Sequence, residues 1–213
     1  MNKAHIIILV LFLFNHHFLN AQENDTLTKY GKIGITFSSF GENDVVSFPG
    51  LDGGASYNGN YFYTLGITYV YPINTWLEFE SGFEYAKHYI TIKPNLPPDM
   101  DDSPRKENFG LANIPVTLRA NFLNYFFFNG GFIIDIGGLN SPIDDQTGIG
   151  ALLGISAKYD FPIGVSAFVN PYIKVHSIFP FQSDTNHYRI LESGIRMGLT
   201  YKLPFKTKAS PDK

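Results

Sequence analysis

Three histidines downstream of the N-terminal leader, His88, His176 and His187, are the side chains best suited to move a proton or hold a metal. Ser177 and Asp184 stand close to two of them, so a Ser-His-Asp hydrolase or acyltransferase can be drawn, with histidine as the base toward serine. No nucleophile elbow and no metal-ligand spacing accompanies these residues. All three map to the rim at the end of the longer connections, and rim histidines serve more often as hydrogen-bond partners than as catalysts. The expectation is therefore a protein that is not an enzyme, with no catalytic, cofactor-binding or metal residues. A second candidate chemistry lies in acids between the apolar stretches: Glu42, Asp44, Asp52, Asp99, Asp101, Asp102, Asp144, Asp145 and Asp184 outnumber Lys93, Arg105 and Lys106 there. Oxygen ligands suit calcium and magnesium, but no spacing matches a calcium loop, and solvated surface loops explain the acids.

The remaining ions follow a parity. From Lys32 to Phe205 the chain alternates apolar and polar residues, and strand side chains alternate faces with a period of two. Tyr61, Tyr63, Leu65, Ile67, Tyr69 and Tyr71 share one face. So do Ile114, Val116, Leu118 and Phe122, and so do Phe126, Phe128, Phe132, Ile134 and Ile136. The last stretch contributes Leu191, Ile195, Met197, Leu199, Tyr201, Leu203 and Phe205. Only Lys87 and Arg189 put charge on these faces, near one end, where a long side chain can snorkel. The opposite faces hold Glu78, Glu80, Glu84, Asp135, Asp160 and Glu192 against Lys32, Arg119, Lys158, Lys174, Arg196 and Lys202. Balanced charge suits a filled interior of low dielectric, where an unpaired ion costs about 3–5 kcal/mol. Heights counted from the tight turns predict two layers of ion pairs: Glu84, Asp135, Lys174 and Arg196 at mid-height, with Glu78, Glu80, Arg119 and Lys158 below.

These faces need strands to present them. Eight stretches alternate, at about Lys29–Phe40, Gly59–Tyr71, Trp76–Ile92, Phe109–Phe122, Tyr125–Gly137, Gly148–Phe161, Val165–His176 and Arg189–Phe205. Most exceed the roughly 9–11 residues that cross a bilayer at the usual tilt. Tight turns at Pro72-Ile73-Asn74-Thr75, Leu123-Asn124 and Pro162-Ile163-Gly164 alternate with longer connections at Gly41–Asn58, Lys93–Asn108, Gly138–Thr147 and Ser177–Tyr188. Outer-membrane barrels have short periplasmic turns and longer external loops, which predicts both termini in the periplasm. The fold class is thus all-β, an eight-stranded antiparallel up-and-down transmembrane barrel. The reverse sense, with the apolar face inside as in a lipocalin, would leave glycines such as Gly34, Gly66, Gly82 and Gly154 on a solvated exterior that should be rich in charge.

Residues 1–21 read as a signal peptide, with Lys3, a short apolar run from Ile6 to Phe14, and Ala21 at the cleavage position. A periplasmic segment (22–28), the barrel (29–205) and a short periplasmic tail (206–213) follow. The chain has no cysteine, which excludes disulfides, thiolate zinc sites and a lipoprotein anchor. A net charge of -3 does not suit a nucleic-acid binder, which needs a concentrated basic patch.

The stretch Leu111-Ala112-Asn113-Ile114-Pro115-Val116-Thr117-Leu118-Arg119-Ala120-Asn121-Phe122 resembles the "L-E-I-P-L-L-L-K-Y" strand of small Bacteroidetes outer-membrane barrels, the PorT-like and OmpA-like group. It shares Ile114-Pro115, Leu118 and a basic Arg119, while Asn113 replaces the usual acid. Asn129-Gly130-Gly131-Phe132, the glycines from Gly148 to Gly154, and Ala21-Gln22 extend the resemblance. It implies an eight-stranded outer-membrane barrel whose relatives are structural proteins or secretion accessories. Tyr201, Leu203 and Phe205, at alternate positions back from an aromatic, resemble the signal read by the barrel-assembly machinery.

Together these readings predict a monomeric outer-membrane protein with a plugged polar interior, acting structurally or through its extracellular loops, with lipid as its surroundings and no cofactor. A secretion accessory with a protein partner and a rim-sited lipid-modifying enzyme are the alternatives. An eight-stranded lumen is too narrow for a general diffusion pore.

Overall fold

A computed structural model describes residues 31–47, 55–95, 103–138, 141–182 and 187–203. Eight strands follow one another: β1 (Lys32–Ser47), β2 (Ser56–Pro72), β3 (Leu77–Lys93), β4 (Arg105–Phe122), β5 (Phe126–Gly137), β6 (Gly148–Asp160), β7 (Val165–Pro180) and β8 (Tyr188–Lys202). Each pairs antiparallel with the next, and β1 pairs with β8, so the sheet closes into a barrel in chain order. Closure leaves no edge with unpaired backbone groups, the condition a sheet must meet to stand in hydrocarbon. The described residues contain no helix.

The turns at one end explain themselves chemically. Leu123 and Asn124 both have positive φ (50° and 60°) in the tight connection between the paired Phe122 and Phe126, where the Tyr125 amide donates to the Leu123 carbonyl at 2.6 Å. Gly164, at φ 83°, closes the turn after Phe161, with its amide donating to the Phe161 carbonyl at 3.1 Å. In the turn before β3, the Asn74 side-chain oxygen accepts from the amides of Trp76 (3.0 Å) and Leu77 (2.7 Å).

At the long-loop end the strands run further than the alternation predicts. β1 continues from Phe40 to Ser47, and β7 from His176 to Pro180. Bulges interrupt the sequence pattern there. Register shifts lie between Ser39 and Glu42 on β1, between Gly59 and Phe62 on β2, and between Ile149 and Ala151 on β6. An extra residue reverses parity, so the inward set of β1 passes from Lys32, Thr36 and Ser38 to Asn43. The expected Gly41–Asn58 loop therefore shrinks to the residues between Ser47 and Ser56.

The parity itself holds across the wall. Ile35 (64% exposed), Ile67 (59%) and Phe132 (62%) stand on the outside, while Glu80, Asp135 and Glu192 are at 0%. Charge inside and aliphatic residues outside reverse the arrangement of a soluble barrel. Tyr71, Trp76, Tyr125, Tyr159, Phe161 and Tyr201 are exposed toward the short-turn end, where aromatic rings suit the junction between hydrocarbon and headgroup. Of the two outward charges, Lys87 is half-buried, and Arg189 does not extend to headgroups. Its guanidinium donates to the carbonyls of Ser177 (3.1 Å), His187 (3.1 Å) and Ile178 (3.4 Å), tying the end of β7 to the start of β8. Of the expected assembly signal, Tyr201 faces outward and Leu203 is half-buried. Phe205, the leader (1–21), the segment 22–28 and the tail (206–213) lie outside the described residues.

Candidate functional site

The inward residues form a continuous column of ions. At the short-turn end Lys32 Nζ lies 3.5 Å from Glu78 and 3.6 Å from Asp160, and Lys158 lies 3.8 Å from Asp160 while donating to Asn121 Oδ1 at 2.6 Å. Above this group, Glu80 accepts two 2.6 Å hydrogen bonds from Arg119, whose guanidinium also lies against the rings of Phe127 and Phe168, at 4.6 and 4.8 Å from their centroids. The hydroxyls of Thr68 (3.0 Å) and Thr117 (3.3 Å) complete the Glu80 shell. Arg196 then joins the levels, reaching Glu80 at 3.3 Å and Glu84 at 3.4 Å, and Lys174 joins Glu84 (3.0 Å) to Glu192 (3.5 Å).

All eight ions predicted for the two layers point inward, but their pairing differs from two separate layers; of the other four, Lys32 and Glu192 also turn inward, while Asp160 and Lys202 are exposed at the short-turn end. Glu80 with Arg119 and Glu84 with Lys174 pair within a level as expected. Arg196 fuses the levels, and Glu78 and Lys158 belong with Lys32 and Asp160 at the bottom. Among the described residues, no lysine or arginine reaches Asp135 at ion-pair distance. It accepts from His176 Nδ1 at 2.8 Å and from the Ser177 amide at 2.9 Å. With the Asn113 amide turned so that its nitrogen faces Asp135, a further bond forms at 2.9 Å. Parity fixes which face a side chain takes but not which way around the barrel it leans. Asp135 on β5 thus finds a partner on β7 that spacing along its own strand cannot reveal.

Sequence reasoning also passed over the hub of the upper column. Glu192 Oε1 accepts from Tyr172 Oη and faces Lys174, while Oε2 faces His88 Nε2 at 3.5 Å and His176 Nε2 at 3.6 Å. Phe62 and Phe109 stack on the His88 ring at 5.9 and 5.4 Å, and the two imidazoles meet edge to face at 5.6 Å. The signal was present, because His88, His176 and Glu192 share the inward parity and Glu192 is the cross-strand partner of Lys174. Among the described residues, these three form the cluster whose ligand atoms lie within reach of one ion, all within 4.8 Å of one another. The histidines are not at an open rim, as expected from the sequence. His88 and His176 are fully buried inside the barrel. Asp184, the acid of the sketched triad, lies outside the described residues.

Two further residues along β3 and β8 the interior turns apolar. Ile90, Ile92, Phe109, Ile143 and Ile190 pack together, with Val45, Ala55 and Tyr57 against them. Ile143 comes from the connection between β5 and β6, which is stitched across the mouth to β8. Gln146 Nε2 donates to the Tyr188 carbonyl (2.7 Å), Gln146 Oε1 accepts from the Ile190 amide (3.2 Å), and Asp144 accepts from the Tyr188 amide (2.7 Å). Glycines give the column its room: a Cβ on Gly66 would stand 2.8 Å from Glu84 Cγ, and one on Gly150 would stand 2.8 Å from Asp135 Oδ2. An ionic column beneath an apolar cluster can hold the wall together. Glu80, Glu84, Lys174, Glu192 and Arg196 are all at 2% exposure or less.

The chain matches no protein-family model and no curated protein. Among solved structures it is similar to the outer membrane protein OprG from Pseudomonas aeruginosa, at 13% identity and a TM-score of 0.43 over 82% of this chain and 95% of that one. The outer membrane protein AlkL in lipid bilayers gives 12% and 0.47 over 90% and 97%. The translocator domain of the autotransporter NalP from Neisseria meningitidis gives 11% and 0.37 over 94% and 97%.

Proposed function

We propose that this protein is an outer-membrane barrel that conducts nothing through its interior and works through its outer wall and long loops, as a structural or interaction protein. The observation that carries the reading is the buried column from Lys32 to Glu192 with its apolar cap. Desolvated ions in such contact resist separation, so the interior is a fixed scaffold and not a path. The apolar wall and the aromatic residues near the short-turn end support a bilayer as its surroundings, and the turn and loop lengths support periplasmic termini. The PorT-like strand at Leu111–Phe122 favours a narrower version, in which the loops serve a secretion system. A lipid-modifying enzyme fits less well, because His88 and His176 are enclosed by protein.

The test replaces the loop residues 48–54 and 96–102 with Gly-Ser segments in the native host and compares cross-linked outer-membrane complexes with those of the wild type. The reading predicts an intact, heat-modifiable barrel that has lost its protein neighbours. A secretion component retained only by the wild type supports the narrower version. Neighbours and phenotype that survive loop replacement but vanish on neutralising the interior ions would overturn the assignment to the loops.

A further inference from the structure

We propose that His88, His176 and Glu192 form a buried site for a divalent transition-metal ion of the zinc class, clamping β3, β7 and β8 together across the barrel interior. Three atoms converge there, His88 Nε2, His176 Nε2 and Glu192 Oε2, and each is buried without a hydrogen-bond partner. Orphaned polar atoms inside a protein are costly, and three of them aimed at one point form a donor set. Each imidazole nitrogen stands 3.5 or 3.6 Å from the carboxylate oxygen. Tetrahedral zinc with bonds of about 2.0–2.1 Å sets its ligand atoms roughly 3.4 Å apart, so two of the three edges are already formed. The ligand atoms of the three residues all lie within 4.8 Å of one another, so the third edge closes by a small movement of the rings.

The surroundings orient these donors. The Asp135 carboxylate takes the Nδ1 proton of His176 at 2.8 Å and is itself held by the Ser177 amide. That leaves the Nε2 lone pair directed at the centre, the carboxylate–histidine–metal arrangement that fixes a ligating ring. On the other side Asn43 faces His88 Nδ1 at 3.4 Å, and its Oδ1 has no hydrogen-bond partner. Ligation requires that amide to turn and accept the His88 Nδ1 proton. Glu192 Oε1 is occupied by Tyr172 and Lys174, so only Oε2 is offered, and the fourth position is left for a small ligand such as water.

Charge favours a cation at this point. At the bottom of the column Glu78 and Asp160 are balanced by Lys32 and Lys158. Higher up, the four acids Glu80, Glu84, Asp135 and Glu192 share three permanent cations, Arg119, Lys174 and Arg196. The upper column therefore lacks one positive charge. A proton on His176, with both Nε2–H groups turned to Glu192 Oε2 at 3.5 and 3.6 Å, supplies it through long contacts; an ion supplies it and draws all three atoms to bonding distance. Two nitrogens and one oxygen form a borderline set, suited to zinc and its neighbours and unlike the all-oxygen shells of calcium and magnesium.

The test uses the tag-free full chain, unfolded with a chelator and refolded into lipid with excess Zn²⁺ or Co²⁺. One ion per folded chain, retained through a chelator wash and showing the visible absorption of low-coordinate cobalt, is expected. His88→Gln and His176→Gln should each weaken binding by about 100-fold or more, and Asp135→Asn by about 10- to 100-fold. Binding that persists unchanged in H88Q and H176Q belongs to the acidic loops and overturns the proposal, as does refolding with no retained ion. If the histidine variants do not fold, X-ray absorption of the wild-type zinc form decides. Two imidazoles in the shell support the site, and an all-oxygen shell refutes it.

Discussion

Replacing Glu80 with glutamine tests the interior most sharply. The wild-type carboxylate is fully buried and takes two 2.6 Å bonds from Arg119, a 3.3 Å contact from Arg196 and two threonine hydroxyls. The amide is nearly the same size, so no cavity opens. What changes is charge: two guanidinium groups are left facing a neutral side chain whose NH2 cannot accept from either. Breaking one partner out of a buried pair costs about 3–5 kcal/mol, roughly two to three and a half decades in the folded-to-unfolded ratio. A water-filled lumen would screen the same change to about 0–1 kcal/mol, as on a protein surface. Urea unfolding in lipid vesicles, followed by the emission of the single tryptophan, measures the difference with the slope checked for constancy. The double variant Glu80→Gln/Arg119→Gln should regain about 0.5–3 kcal/mol of the sum of the single losses. A single-variant cost below about 1 kcal/mol, with no coupling to Arg119, would refute a dry interior.

Other changes probe separate parts of the account. Leu123 is 61% exposed at φ 50°, so Leu123→Gly loses little contact and relieves the left-handed strain, stabilising the barrel by about 1 kcal/mol in the same urea assay. Gly150→Ala puts a Cβ 2.4 Å from the Val175 carbonyl oxygen and 2.6 Å from Ile133 Cγ1, and should cost about 1–3 kcal/mol in urea. Ile143→Asp places a carboxylate among Ile90, Ile92, Phe109 and Ile190, and should free the connection between β5 and β6 to added protease while the barrel still migrates as folded on an unheated gel.

The wall was legible because period-two alternation follows directly from strand geometry, and Ile67 or Phe132 cannot change face without shifting a whole strand. The tight turns were equally readable, since Asn74, Asn124 and Gly164 each do what their backbone chemistry permits. The upper interior was not readable in the same way. Bulges near Phe40 and Asn60 reverse parity, and that is how Asn43 comes to lie beside His88. Asp135 was placed on the correct face, yet its partner His176 was expected at an open rim, because the cap that encloses it draws Ile143 from a loop with no periodicity. Glu192 carried the inward parity but no distinguishing neighbour in sequence. Its importance arises from β7 and β8 pairing Lys174 with it and from β3 bringing His88 across the lumen.

The most direct test of the account is the current through purified wild-type protein in a planar bilayer at moderate salt. A column of paired, dehydrated ions under an apolar cap predicts a silent baseline, with steps appearing only when the column is disrupted, as in Glu80→Ser/Arg119→Ser. Steady single-channel conductance from the intact wild-type barrel would contradict it.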